Sequence, residues 1–202
     1  MKDIFLSQRL LDAIELTIEA HAKTKRKGDD KPYIIHPIAV FGLLTQWNVD
    51  ENTRIAGLLH DVIEDATDDQ QRIAYRKYIE GHFGKTVLAI VEGVTEQDKS
   101  LPWRTRKEHY LKHLQHAPDS SLLVTCADHT HNTFAMLQGY QQQGENFWKR
   151  FNASKELKLW YLDEVFSILK KRLDSKYVSN LQELSHDLHS ALTTTKVSNS
   201  DA

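Results

Sequence analysis

Apolar residues recur three or four positions apart along most of the chain, the spacing of one buried helix face. Leu10, Leu11, Ile14, Ile18 and Ala22 predict a helix over about 7–25, with Ser7 as its N-cap. Pro37 fits the first turn of a second helix, which runs through Val40, Phe41, Leu43 and Leu44 to Trp47 and leaves His36 at its N-terminus. A third, central helix starts at Asp50-Glu51-Asn52 and carries Ile55, Leu58, Leu59, Val62 and Ile63. Gly42 and Gly57 lie inside these patterns, where each costs roughly 1 kcal/mol relative to Ala; close approach of helices is the expected reason.

A fourth helix covers 68–82, with Ile73, Tyr75, Tyr78, Ile79 and Phe83 on or near its inner side, and Gly84 ends it. The run over 86–94 (Val87, Leu88, Ile90, Val91, Val94) is apolar enough for a buried strand, but no partner strand is evident, so a short buried helix is the better fit. Pro102 opens a helix through Trp103, Arg106, Tyr110, Leu111 and Leu114. Pro118 opens the next, where Leu122, Leu123 and Cys126 face inward and Asp128 and Asn132 lie one turn apart. Two more helices follow over about 154–173 and 176–192. No hairpin signal, internal repeat or linker interrupts the series. The expectation is an all-α chain, a single-domain helical bundle over 1–192, followed by a disordered Thr-, Ser- and Asn-rich tail over 193–202.

Composition narrows the partners. A chain of 202 residues is long enough for one domain with a substantial core. Lys plus Arg at 26 against Asp plus Glu at 28 leave a net charge of -2, so no global field draws in a nucleic acid polymer or an anionic membrane. A polyanionic ligand has to be met by a local basic patch. The single cysteine, Cys126, excludes an internal disulfide and a cysteine-rich zinc site and fits a reducing compartment. The N-terminus turns polar at once and no span of about 18 apolar residues occurs, so a soluble cytoplasmic protein is expected. Nothing in the pattern speaks to an oligomeric state.

Chemistry concentrates at Leu58-Leu59-His60-Asp61-Val62-Ile63-Glu64-Asp65. On a helix at about 100° per residue, His60, Asp61, Glu64 and Asp65 share one polar arc while Leu59, Val62, Ile63 and Ala66 fall largely opposite. The acidic face of a surface helix would give a similar spacing. The adjacent His-Asp pair points instead to a central ion, because neighbours on a helix rarely converge without one. Imidazole and carboxylate together suit Mn²⁺, Fe²⁺ or Zn²⁺, and carboxylates one turn later can orient a water on that ion. Two ligands on one helix do not complete a site, so others must come from elsewhere. The basic run from Lys23 to Pro32 is either a solvated cluster or a contact for phosphate or nucleobase, for which the planar fork of Arg is suited.

Taken together, His36-Pro37, His60-Asp61 and Ala127-Asp128 supply two imidazoles and two carboxylates from three predicted helices. That set resembles the metal-dependent HD phosphohydrolase superfamily. Several ordered motifs narrow the resemblance to the hydrolase half of Rel/Spo proteins: Arg26-Lys27-Gly28 with Pro32-Tyr33-Ile34-Ile35-His36-Pro37, the stretch from Ala56 to Asp65, Phe83-Gly84, Val91 to Glu96, and Ala127 to Asn132. Trp103-Arg104, Arg106-Lys107-Glu108, the stretch from Phe147 to Asn152 and Leu159-Trp160-Tyr161 are similar to a narrower group, the stand-alone small alarmone hydrolases without a synthetase domain. The likeness covers roughly residues 10 to 170.

Residue by residue, the resemblance implies that His36, His60, Asp61 and Asp128 ligate one divalent ion, Mn²⁺ in that family. Glu64 and Asp65 match the pair that orients or deprotonates the attacking water. Arg26 and Lys27 match the basic pair that contacts base and phosphates, and Asn132 matches an asparagine near sugar and phosphate. The implied reaction is hydrolysis of a small nucleotide, with removal of the 3′-pyrophosphate of (p)ppGpp favoured. Two departures bear on the substrate: His129 and Thr130 stand where Rel/Spo hydrolases usually carry Arg or Lys and then Leu, and Thr125 stands where they often carry Lys. The rivals are another nucleotide or phosphate ester handled by the same centre, and a nucleotide-sensing module that binds without turnover. His21, His82, His109, His113 and His116 are expected to be structural or exposed, and His131 to hold its helix. Arg104, Arg106 and Lys107 either face phosphates or form a solvated face, and Trp148, Phe151 and Trp160 are expected in the core.

Overall fold

The computed structural model describes residues 7–26, 31–96 and 100–198. Among them the helices are α1 (Gln8–His21), α2 (Ile35–Gln46), α3 (Glu51–Leu59), α4 (Asp69–Phe83), α5 (Lys85–Val94), α6 (Trp103–Leu114), α7 (Asp119–Gln143), α8 (Lys155–Arg172) and α9 (Ser175–Ser198), with a 3₁₀ segment Gly144–Arg150 between α7 and α8. Side chains start four of them: Ser7, Asp50, Asp68 and Ser154 each accept a hydrogen bond from the backbone N–H three residues on. Gly84 separates α4 from α5 at φ 87°, a backbone conformation that suits glycine. No helix among the described residues is long and apolar enough to cross a membrane.

Helix α7 is the spine. One side of it, through Val124 and Ala127, joins a core built from α1 to α5 around Leu44, Ile55, Leu59 and Val91. Its other side, through Leu122, Cys126, Leu137 and Tyr140, joins a second core built from α6, α8 and α9 around Leu162, Leu169 and Leu181. Both faces of α7 are thus covered, and Asp128 sits partway along it, at a cavity that residues of both halves line. Gly57 lets α3 settle on α2, since a Cβ there would strike the fully buried Leu44 side chain. Gly42 has open space around its Cα, so close packing does not account for it.

Two predicted boundaries are corrected. The central helix does not continue through Asp65: α3 stops at Leu59, His60 is its C-cap, and 60–65 form turns closed by Val62 N–H donating to Leu59 O and Asp65 N–H donating to Asp61 O. Val62 and Ile63 stay buried although the helix has ended, which is why their apolar period looked helical. At the other end α9 runs on to Ser198, past Leu192 and into the stretch expected to be a disordered tail. Residues 199–202 lie outside the described residues.

Candidate metal centre

Four elements bring the predicted ligands to one point. His36 comes from the first turn of α2, His60 from the end of α3, Asp61 from the turn beyond it, and Asp128 from the middle of α7. His36 Nε2 is 3.1 Å from His60 Nε2, 3.0 Å from Asp128 Oδ1 and 3.5 Å from Asp61 Oδ2. His60 Nε2 is 3.0 Å from Asp61 Oδ2 and 3.9 Å from Asp128 Oδ1. One donor atom each from His36, His60 and Asp128 lies within 4.8 Å of the others, close enough to hold a metal ion. Two imidazole nitrogens and two carboxylate oxygens aimed inward form a donor set that fits a borderline divalent cation.

Each of the four is held by an outer partner. Tyr33 O–H donates to Asp61 Oδ2 at 2.5 Å, and Asn132 Nδ2 donates to Asp128 Oδ1 at 2.5 Å. His60 Nδ1 lies 2.8 Å from the Gly57 carbonyl oxygen, and His36 Nδ1 lies 2.8 Å from His131 Nδ1. Supports of this kind set the ring orientation and tautomer of a ligating histidine. The early end of α3 contributes directly, because it leaves the Gly57 carbonyl free of an α-helical partner at position 61 and available to the His60 ring.

The centre forms the floor of a cavity of about 570 Å³. Glu64 and Asp65 line it beside the ligands; Glu64 Oε2 accepts the Glu96 backbone N–H at 3.1 Å, and Asp65 Oδ2 is 4.0 Å from the buried His21 Nδ1. Arg26 also lines it, with Nη2 donating to Asn132 Oδ1 at 3.0 Å. Lys27 lies outside the described residues. Lys107, Arg150 and Lys158 line the cavity too, with the rings of Phe151 and Tyr161. Phe151 therefore reaches the cavity as well as the core expected for it.

The departures at α7 separate in space. His129 lines the cavity, packed edge-on against Tyr161 at 5.3 Å between centroids, and Thr125 lines it with its hydroxyl 3.2 Å from that of Tyr110. Thr130 turns its hydroxyl into the helix, donating to the Cys126 carbonyl at 2.7 Å. On α6, Arg104 stacks over Trp160 at 3.9 Å and Arg106 pairs with Glu96 at 2.7 Å, while Lys107 pairs with Glu96 and faces the cavity. Tyr33 and Glu96 had no role assigned from the sequence and His131 was expected only to hold its helix; no local spacing could have found their contacts, since each acts on a residue of another element.

A family model described as "HD domain" matches residues 13–156. The chain belongs to the HD domain family. It is 36% identical over 126 residues to the guanosine-3′,5′-bis(diphosphate) 3′-pyrophosphohydrolase MESH1 of Xenopus tropicalis, covering 61% of this chain and 66% of that one. It is 36% identical over 132 residues to the bifunctional (p)ppGpp synthase/hydrolase SpoT of Escherichia coli strain K12, covering 62% of this chain but 18% of that one. The chain thus spans just under two thirds of the first relative and under a fifth of the second. A solved structure of a metazoan SpoT ortholog that hydrolyses ppGpp superposes with a TM-score of 0.72 at 24% identity, over 90% of this chain and 96% of that one, which establishes a shared fold.

Electrostatics in this HD site follow from burial and opposed charge. Burial works against a charge on His60, but Asp61 beside it outweighs that and pushes its pKa up to about 9. Burial likewise works against Asp61, yet His60, His36 and the Tyr33 hydrogen bond hold its carboxyl well below the usual range. Their mutual attraction thus favours charged His60 beside charged Asp61, and a cation placed among the same atoms would compete with the His60 proton. His131 is pushed down to about 4 by burial, then by His36 and Arg26, and stays neutral.

His129 titrates with a stability consequence. Burial, reinforced by Lys107 and Lys158 against the pull of Asp128, pushes it down to about 4 from an ordinary 6.5. The unfolded chain therefore takes up this proton first as the pH falls. Stability fully present above pH 6.5 is lost as the pH drops toward 4, by about 2 kcal/mol between roughly pH 7 and pH 5. Urea unfolding at the two pH values is expected to show that much less acid sensitivity in His129→Phe than in the wild type; equal sensitivity would mean that the ring protonates without cost.

Proposed function

We propose that this chain is a metal-dependent phosphohydrolase that removes the 3′-pyrophosphate of (p)ppGpp. The observation that carries the reading is the convergence of His36, His60, Asp61 and Asp128 at the floor of a cavity that also presents Glu64, Asp65, Arg26 and Asn132. The names of the MESH1 and SpoT relatives supply the substrate. Mn²⁺ is the ion we assign and the cytoplasm the compartment, with a small nucleotide as the ligand rather than a nucleic acid polymer or membrane. A divalent ion held by the four ligands supplies Lewis acidity to a phosphoryl oxygen and acidifies a water at neutral pH.

The chain's own residues supply the rest. Glu64 and Asp65 stand next to the ligands, where a carboxylate can take the proton of the attacking water. Arg26, placed by Asn132 and 5.7 Å from the Tyr33 ring, offers a planar cation to base or phosphate at the rim. Lys107, Arg150 and Lys158, which line the same cavity, offset phosphate charge.

A second reading has a specific observation behind it. His129 puts a neutral ring where a fixed cation is usual in Rel/Spo hydrolases, so another nucleotide or phosphate ester could suit the same centre. The test is product analysis with the metal-stripped protein, Mn²⁺ added back, on ppGpp, pppGpp, nucleoside triphosphates and nucleoside monophosphates. GDP and pyrophosphate from ppGpp are expected. Cleavage of another nucleotide with ppGpp intact would replace the alarmone assignment, and tight binding without turnover of any would turn the reading to a sensing module.

A further inference from the structure

We infer that His131 is a positioning residue for the metal centre: its imidazole accepts the His36 Nδ1 proton and so fixes the ring to present Nε2 inward. The inference rests on the proposed reading of His36 as a ligand. His131 lies on α7 three residues after Asp128 and one before Asn132, so these residues share one face of that helix. Its Nδ1 is 2.8 Å from His36 Nδ1, with ring centroids 5.0 Å apart and planes inclined at 39°. Two imidazole nitrogens at that distance need one proton between them, so one ring donates and the other accepts.

The remaining geometry says which one. His36 Nε2 is the atom that faces His60 Nε2, Asp61 Oδ2 and Asp128 Oδ1. A cation among those atoms takes the Nε2 lone pair, which leaves the single proton of a neutral His36 on Nδ1. His36 is buried, and among the described residues His131 is the group hydrogen-bonded to that nitrogen. His131 is not itself a ligand, since it meets His36 on the edge of the ring turned away from the cluster.

The other three groups follow the same plan. His60 has the Gly57 carbonyl on Nδ1, Asp61 has Tyr33, and Asp128 has Asn132. His36 differs in that its support is a side chain from another helix. The His36–His131 contact therefore ties α2 to α7 across the centre, and it can be removed by one substitution without touching a ligand.

Calorimetric titration of Mn²⁺ into the metal-stripped full chain is the test, for wild type, His131→Phe, His131→Asn and His36→Ala. His131→Phe keeps a ring but loses the acceptor and is expected to bind Mn²⁺ about 10- to 100-fold more weakly. His131→Asn, whose amide oxygen can accept near the position of Nδ1, is expected to recover most of that loss. In the Zn²⁺-loaded wild type, long-range ¹H–¹⁵N correlation is expected to find the His36 proton on Nδ1; this needs no variant to fold. Wild-type Mn²⁺ affinity in a folded His131→Phe, or a His36 proton on Nε2 in the Zn²⁺ form, would overturn the inference. Unchanged affinity in His36→Ala would instead strike the ligand reading beneath it.

Discussion

Asp61→Ala is expected to weaken Mn²⁺ binding by about 100-fold or more and to reduce nucleotide hydrolysis to background at micromolar metal. A lost outer support already costs roughly 10- to 100-fold in metal affinity, and Asp61 sits inside the shell. Its Oδ2 is 3.0 Å from His60 Nε2, 3.5 Å from His36 Nε2 and accepts from Tyr33, so one substitution removes a proposed ligand and the group that balances two imidazoles. Without it His60 loses the neighbour that raises its pKa, and the Tyr33 hydroxyl loses its acceptor. Calorimetry with Mn²⁺ measures the first effect and product release at micromolar Mn²⁺ the second. Far-UV circular dichroism is expected to stay native, since Asp61 lies in the turn after α3 rather than in either core. A folded variant with wild-type affinity would exclude Asp61 from the centre.

The helices were legible in the sequence because each carries its own apolar period and, in four cases, its own cap. Their junctions were less so. Val62 and Ile63 continue the period of α3 exactly where the backbone leaves the helix, and burial, which both residues keep in the turn, is all that such a period reports. The Thr- and Ser-rich run after Leu192 hid the continuation of α9 to Ser198, because it carries no apolar stripe for a period to report. Within the site, His60, Asp61, Glu64 and Asp65 could be read from one short stretch. His36 and Asp128 were named through resemblance, and the structure then brings all of them to one cavity. The contacts of Tyr33, His131 and Glu96 were invisible because they span 28, 95 and 32 positions, distances over which spacing carries no information. The same holds for the two-sided role of α7: Val124 and Ala127 serve one core, Leu122 and Cys126 the other, and only packing assigns them.

Asp65→Asn is expected to lower kcat by about 10²- to 10⁴-fold, the range for loss of a general base, while Mn²⁺ affinity stays within a few-fold of wild type. Glu64→Gln is expected to cost less. Glu64 Oε2 already accepts the Glu96 N–H, a contact that a glutamine oxygen can keep, so this residue holds the 95–96 backbone against the centre as well as facing the cavity. Asp65 is the more exposed of the two, and its N–H donates to Asp61 O, which ties its backbone to that of the proposed ligand. If it is the proton acceptor, Asn leaves the fold, the metal and the cavity as they are and removes a step made only in the transition state, so kcat and kcat/KM should fall together. Single-turnover measurements on ppGpp at saturating Mn²⁺ separate the cases. The larger loss in Glu64→Gln would exchange the two roles, and a loss of Mn²⁺ affinity in Asp65→Asn would move this carboxylate into the ligand shell.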